Sequence, residues 1–170
     1  MKFYYSFVLL QMMRYKSGGI VMIVKNIMST DVLTVKESTS LFEVATLLIQ
    51  KKIAGMPVVD DMNKPVGSIS EKDLLNYFYP QETEKYNWFN LSKLMLDPDT
   101  NLKEVKVSPI MSKSPATVTP ETTLFDAGTL ISNRSLRQIA VVDDNGKLVG
   151  VVSEGDVCRA LLDEKIKEIS

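Results

Sequence analysis

Two short stretches hold the polar groups of this chain best placed for chemistry: Gly67-x-x-Ser70-Glu71-x-Asp73 and Gly150-x-x-Ser153-Glu154-x-Asp156. Each ends an apolar run of strand character and opens a run with helical spacing, so Ser and Asp fall where a strand gives way to a helix. A helix N-terminus offers free backbone N–H groups and a partial positive charge, which suits phosphate. The serine hydroxyl can donate to a phosphate or ribose oxygen. A carboxylate three residues on can accept hydrogen bonds from both ribose hydroxyls. The bland reading competes: Ser-x-x-Asp is close to a capping box, and Asp in a first helical turn is stabilising without any ligand. On the motif alone both readings stay open, and they can coexist.

Composition removes most other chemistry. The chain has 170 residues, no histidine and one cysteine, Cys158. A disulfide within the chain, zinc sites built on Cys and His, and histidine-dependent triads or general bases are therefore excluded. Net charge is -1, with 24% charged residues, so the basic footprint of a nucleic-acid binder is missing. There is no GxxxxGK[ST] loop, no GxGxxG loop and no nucleophile elbow. Asp60-Asp61 and Asp143-Asp144 sit at hairpin starts, where turn chemistry favours Asp, and are read as turns rather than metal ligands.

The two stretches belong to a longer duplication. Ile27-Met28-Ser29 returns as Ile110-Met111-Ser112, Thr34-Val35 as Thr117-Val118, and Val58-Val59-Asp60-Asp61 as Val141-Val142-Asp143-Asp144. Of the 47 positions from 27 to 73, 20 are identical to their partners at 110–156, with no gap. Such a repeat fixes the fold, and any site in one half has a counterpart in the other.

Each copy reads as a lead-in (24–29; 107–112), an extended stretch (32–35; 116–118), a helix, two strands and a last helix. Ser40 with Glu43, and Thr123 with Asp126, signal helix starts. Leu41, Val44, Ala45 and Leu48 form one apolar stripe, repeated by Leu124, Ala127, Gly128 and Ile131. These helices are expected to end near Lys52 and Ser135. The strand pairs are 56–59 with 66–70 and 139–142 with 148–153. Asn145-Gly146 marks a hairpin because both residues tolerate positive φ. The last helices carry Leu74, Leu75 and Phe78, and Val157, Leu161, Leu162 and Ile166. Cys158, at the position of Leu75, reads as a small core residue. A unit of about 50 residues buries little apolar surface alone, and two packed face to face solve that problem.

Four segments follow: an N-terminal extension 1–21, a first motif 22–79, a connecting helical segment 80–106, and a second motif 107–170. In the connector, 82–96 reads as a helix ended by Asp97-Pro98, with Trp88-Phe89 anchoring it to the core. The apolar run 3–13 is too short for a bilayer, which needs roughly 20 residues. Three readings of 1–21 are open: a non-native upstream start, a peripheral membrane or partner anchor, and a signal peptide lacking a small-x-small cleavage site. The first is preferred, because Met22 stands just before the repeat; a membrane role depends wholly on this segment.

Taken in this order and doubled at a constant offset, the pattern resembles a tandem pair of CBS domains, or Bateman module, over about residues 22–169. The resemblance rests on Ile-Met-Ser, the Thr-Val strand, Pro57-Val58-Val59-Asp60-Asp61 with its second copy, and the two G-x-x-S-E-x-D stretches. It implies an α/β fold in the broad, α+β sense: two β-α-β-β-α motifs with small mixed sheets, related by a pseudo-two-fold. It further implies a cytoplasmic homodimer acting as a stand-alone sensor, with no catalytic residue, metal or required cofactor. The ligand is an adenosine nucleotide (AMP, ADP or ATP) or S-adenosylmethionine, held in clefts between the motifs. The effector is an unknown, separate protein.

The resemblance also assigns residues. Asp73 and Asp156 take the ribose, and Ser70 and Ser153 the hydroxyl role. Positions just before the second strand face the phosphates: Ala54-Gly55 in the first copy, Arg137-Gln138 in the second. Arg137 is thereby a charge-assisted phosphate contact, whereas Gly55 marks a weaker grip in the first copy, with Lys72 a source of charge. Lys36 and Thr119 mark the base-reading positions. The alternative is a dimerisation or interaction scaffold with empty clefts, in which Asp73 and Asp156 only cap helices.

Overall fold

The first helix of each half opens identically. Ser40 Oγ accepts from Glu43 N at 3.2 Å, and Thr123 Oγ1 accepts from Asp126 N at 3.1 Å. The computed structural model describes residues 22–78 and 101–169. In chain order these form α1 (Leu41–Lys51), β1 (Gly55–Val59), β2 (Pro65–Ser70), α2 (Glu71–Phe78), β3 (Ser112–Lys113), β4 (Thr117–Val118), α3 (Leu124–Arg134), β5 (Gln138–Val142), β6 (Leu148–Ser153) and α4 (Glu154–Ile169). Helices α1 and α3 stop at left-handed residues, Lys52 at φ 53° and Ser135 at φ 51°, whose amides return to the Leu48 and Ile131 carbonyls. The connector helix and the Trp88-Phe89 anchor expected from sequence lie outside the described residues, as does 1–21. Among the described residues no helix is long and apolar enough to cross a membrane.

Two sheets result, ordered β1-β2-β3 and β4-β5-β6. The hairpins β1–β2 and β5–β6 are antiparallel, and β4 runs parallel to β5. The extended stretch of the first copy is reduced to one parallel bridge, Val35 to Val58. Proline explains the difference. In the second copy Ala140 N donates to Ala116 O, whereas Pro57 at the matching position has no N–H to give. The hairpin turns also depart from expectation. Gly146 alone takes positive φ, at 75°, and Asn63, its counterpart, takes 61°. Asp143 N bonds Lys147 O, and Asp60 N bonds Lys64 O, so each loop has three central residues with the last left-handed, the arrangement of a turn followed by a bulge. Asp60 Oδ1 and Asp143 Oδ1 each accept two turn amides.

The cores exchange their lead-ins. Val24, from the first copy, is fully buried among Val118, Leu124, Ile131 and Val152 of the second. Val107 and Met111, from the second copy, are buried among Val44, Leu48, Met56 and Ile69 of the first. Backbone bonds fix the exchange: Leu124 N to Met22 O at 2.8 Å, and Leu41 N to Val105 O at 2.9 Å. Neither sequence repeat therefore completes its own core, and removing one lead-in uncovers the opposite half. A small third cluster, Val59, Ala140 and Leu148, with Val32 against it, joins the two sheets. Leu148 N and Asn63 O, 2.9 Å apart, bond across the same seam.

Candidate functional site

Strand β2 ends at Ser70 and α2 begins at Glu71, so the Gly-x-x-Ser-Glu-x-Asp stretch is a strand-to-helix corner. At that corner Ser70 N and Oγ both donate to Asp73 Oδ2, at 2.8 and 2.5 Å, and Asp73 N donates back to Ser70 Oγ at 3.3 Å. The second copy repeats this: Ser153 N and Oγ reach Asp156 Oδ2 at 2.9 and 2.6 Å, with the return bond at 3.1 Å. Oδ2 of each aspartate is thus committed to the cap. The outward atom, Oδ1, distinguishes the copies. Asp73 Oδ1 accepts from Ser112 Oγ at 3.1 Å, a residue of the exchanged lead-in. Asp156 Oδ1 is ion-paired with Arg159 Nη2 at 2.6 Å.

The glycine of each stretch has a steric reason. A Cβ at Gly67 would lie 2.8 Å from both Met111 Sδ and Ser112 O, and one at Gly150 would lie 3.0 Å from Met28 Sδ and Ser29 O. Only glycine lets the exchanged lead-in lie flat on the strand. Charge state follows from these contacts. Partial burial raises the Asp156 pKa, but the hydrogen bonds from Ser153 and the bond and charge of Arg159 outweigh it and hold the carboxyl below its usual value.

A cleft of about 250 Å³ opens between the halves. That is close to the lower end of small-ligand pockets, roughly 300 Å³. Its lining includes Pro57, Gly67 and Ser68 of the first half, Ser112 and Lys113 of β3, which pairs with β2 in the same sheet, and Arg134 and Gln138 of the second half. Ser112, paired with Ser68, bonds Asp73 and so links the cleft to that aspartate, which is not itself part of the lining.

The other residues singled out from sequence are placed as follows. Gly55 pairs with Ser70 across β1 and β2. Arg137 sits before β5, exposed, with its guanidinium on Glu154 Oε2 at 3.2 Å. Lys36 turns to the β1–β2 loop, bonding the Asp60 carbonyl and pairing with Asp61. Thr119 N bonds Thr122 Oγ1 at 3.0 Å in the turn before α3. Ser70 and Asp73 are therefore brought together, as are Ser153 and Asp156, but neither pair lines this cleft, nor do Lys36, Gly55, Thr119 and Arg137. Sequence reasoning missed Ser112, Lys113, Arg134 and Arg159. One signal was present for Arg134: its repeat partner, Lys51, is also basic. Cys158, expected in the core, is exposed. Its neighbour Val157 faces inward instead, because one residue along a helix rotates the side chain by about 100°.

The family model for the CBS domain matches the chain twice, at residues 24–80 and 107–163. "CBS domain-containing protein CBSX1, chloroplastic" of Arabidopsis thaliana is 34% identical over 79% of this chain, which spans 61% of that protein's length. The crystal structure of the CBS-pair protein CBSX2 from Arabidopsis thaliana superposes with a TM-score of 0.69 at 33% identity, covering 86% of this chain and 98% of that one. A structure of CBSX2 in complex with AMP superposes with a TM-score of 0.66 at 35% identity, over 85% and 98% of the two chains.

Proposed function

The chain belongs to the CBS domain family, carrying two copies in tandem, and from that premise we propose that it is a regulatory, non-catalytic module that binds an adenosine nucleotide between its motifs. The observation that carries the reading is the Asp73 corner beside the inter-motif cleft. Asp73 is fixed by Ser70 through Oδ2 and keeps Oδ1 turned to an exposed hydroxyl, Ser112 Oγ, that a ribose diol can replace. The AMP complex of the related CBSX2 supports the ligand class. The cleft draws its lining from both halves, so a ligand there favours one arrangement of the halves and can shift the activity of a partner that senses it.

The module itself pairs with a second copy. Support for pairing comes from α4, where Cys158, Leu162 and Ile166 recur at four-residue spacing on an exposed stripe, with Leu75 exposed on the matching helix α2. Such a stripe is an unusual surface for a monomer.

Thermal unfolding of the full chain against AMP, ADP, ATP, S-adenosylmethionine and GMP tests the ligand class. A ligand at 100 times its Kd stabilises the native state by about 2.7 kcal/mol. A rise with an adenosine compound and none with GMP is expected; a folded protein indifferent to the whole panel returns the reading to a scaffold. One observation favours that second reading, namely that both aspartates already serve as helix caps. Asp73→Ala with Asp156→Ala separates the two, since a scaffold loses stability but has no ligand response to lose.

A further inference from the structure

We propose that Asn63 is a positioning residue for the inter-motif cleft: its two bonds to Leu148 close one end of the seam and make that end the pivot on which the halves tilt. The inference rests on the ligand-sensing reading and deepens it. The β1–β2 and β5–β6 loops meet there. Leu148 N donates to Asn63 O at 2.9 Å, and Asn63 Nδ2 donates to Leu148 O at 3.2 Å, across 85 positions of sequence. The clasp needs a residue that holds a left-handed backbone, φ 61°, and still carries a side-chain donor. Asparagine meets both demands, since it tolerates that region better than most side chains do.

The repeat does not supply this clasp twice. An offset of 83 residues maps Asn63 onto Gly146 and Leu148 onto Pro65. Gly146 shares the left-handed backbone, at φ 75°, but has no side-chain donor. Pro65 has no N–H to give. The mate of the clasp therefore lacks both donors, although the loops are adjacent on that side too: a Cβ at Gly146 would lie 4.0 Å from Lys64 Cε. Two such clasps would brace the halves against tilting. One clasp holds the loops together and leaves a single direction of tilt. From it the hairpins run past the apolar contact of Val59, Ala140 and Leu148 to the cleft lining at Pro57, Ser68 and Gln138. Ser70, at the helix-start corner, lies five residues along β2 from Pro65, about 17 Å away at the rise of an antiparallel strand. A small tilt at the clasp is thus a larger displacement at the Asp73 corner, and a ligand in the cleft works against a fixed end.

Hydrogen exchange read by NMR and isothermal titration with AMP, both on the full chain, test this. In the parent, AMP is expected to change exchange at the Ser70 amide and to leave the Leu148 amide unchanged, because a pivot stays in place. Asn63→Gly keeps the left-handed backbone and its carbonyl and removes only the Nδ2 donor, at an exposed residue, so folding is preserved. Without that second bond the halves also twist about the first, and the fraction of molecules able to hold the ligand falls. Asn63→Gly is therefore expected to speed exchange at Leu148 and to weaken AMP by about threefold or more. Faster exchange at Leu148 with AMP affinity untouched would confine Asn63 to its loop and overturns the proposal. So does an AMP-induced change at Leu148 as large as that at Ser70, a comparison that needs no variant. Either result leaves the ligand-sensing reading intact. A parent that binds neither AMP nor any other adenosine compound removes that reading and the positioning role together.

Discussion

Ser112 Oγ donates to Asp73 Oδ1 at 3.1 Å, across 39 residues of sequence, and ties the lead-in of the second motif to the helix start of the first. The bond sits where cap, cleft and exchanged segment meet. A ligand that takes over Oδ1 therefore acts on the contact between motifs, not on one motif alone. Removing Ser112 frees Oδ1 without touching the cap. Ser112→Ala is expected to leave the unfolding midpoint nearly unchanged, because the bond is exposed and water can replace it. It is also expected not to weaken AMP, whereas Asp73→Ala does, measured by titration of both variants. Equal losses would mean that Ser112 itself holds the ligand.

The exchanged lead-ins make a prediction that the repeat alone does not. Val107 is fully buried in the core of the first half. Val107→Ala removes two buried methyl-sized groups and leaves a cavity, a cost of about 2 kcal/mol. Hydrogen exchange monitored by mass spectrometry is expected to lose protection in α1 and β1, with α3 and β5 less affected. Selective loss in the second half would contradict the exchange.

Acid stability depends on Asp156. Its carboxyl lies below the ordinary 3.8 in the folded chain, so between the two values the unfolded chain holds more protons than the native one. Stability from this group is present above the unfolded pKa and is lost as pH falls through the folded pKa. Asp143 has the same sign, held down first by the Lys147 amide. Urea midpoints measured from about pH 5 down to about pH 2 are expected to fall less steeply in Asp156→Asn than in the parent. An identical slope would show that the Ser153 and Arg159 contacts do not favour the charged form.

Pairing of two copies is tested on the exposed stripe. Leu75→Glu with Leu162→Glu places charges at two positions that are each 56% exposed in the single chain, so folding is expected to survive. Light scattering is expected to read a dimer for the parent and a monomer for the variant. A parent that is monomeric, or a variant that still dimerises, removes α2 and α4 from the interface.

Much of this architecture was legible because it is local. Helices α1 and α3, with caps at Ser40 and Thr123 and stops at Lys52 and Ser135, follow from stripe spacing and first-turn chemistry. The Ser70–Asp73 and Ser153–Asp156 pairs follow from a three-residue spacing at a strand-to-helix corner. What the sequence concealed is non-local. Val24 gives no sign that its neighbours are Leu124 and Val152, because periodicity reports which face is buried and not against what. Lys113 and Arg134 stand 21 positions apart, in β3 and at the end of α3, and share a cleft lining only in the folded chain. Pro57 was readable in principle, since a proline inside a paired strand forbids one ladder bond, and it accounts for the shortened pairing at Val35.

The central claim is that the Asp73 corner holds the ribose of an adenosine nucleotide. Equilibrium dialysis of labelled AMP against the full chain and against Asp73→Ala tests it most directly, with thermal unfolding confirming that the variant folds. Saturable binding to the parent, weakened at least about tenfold in the variant, is the predicted result. Saturable binding of equal strength to both, or none to the parent, would contradict it.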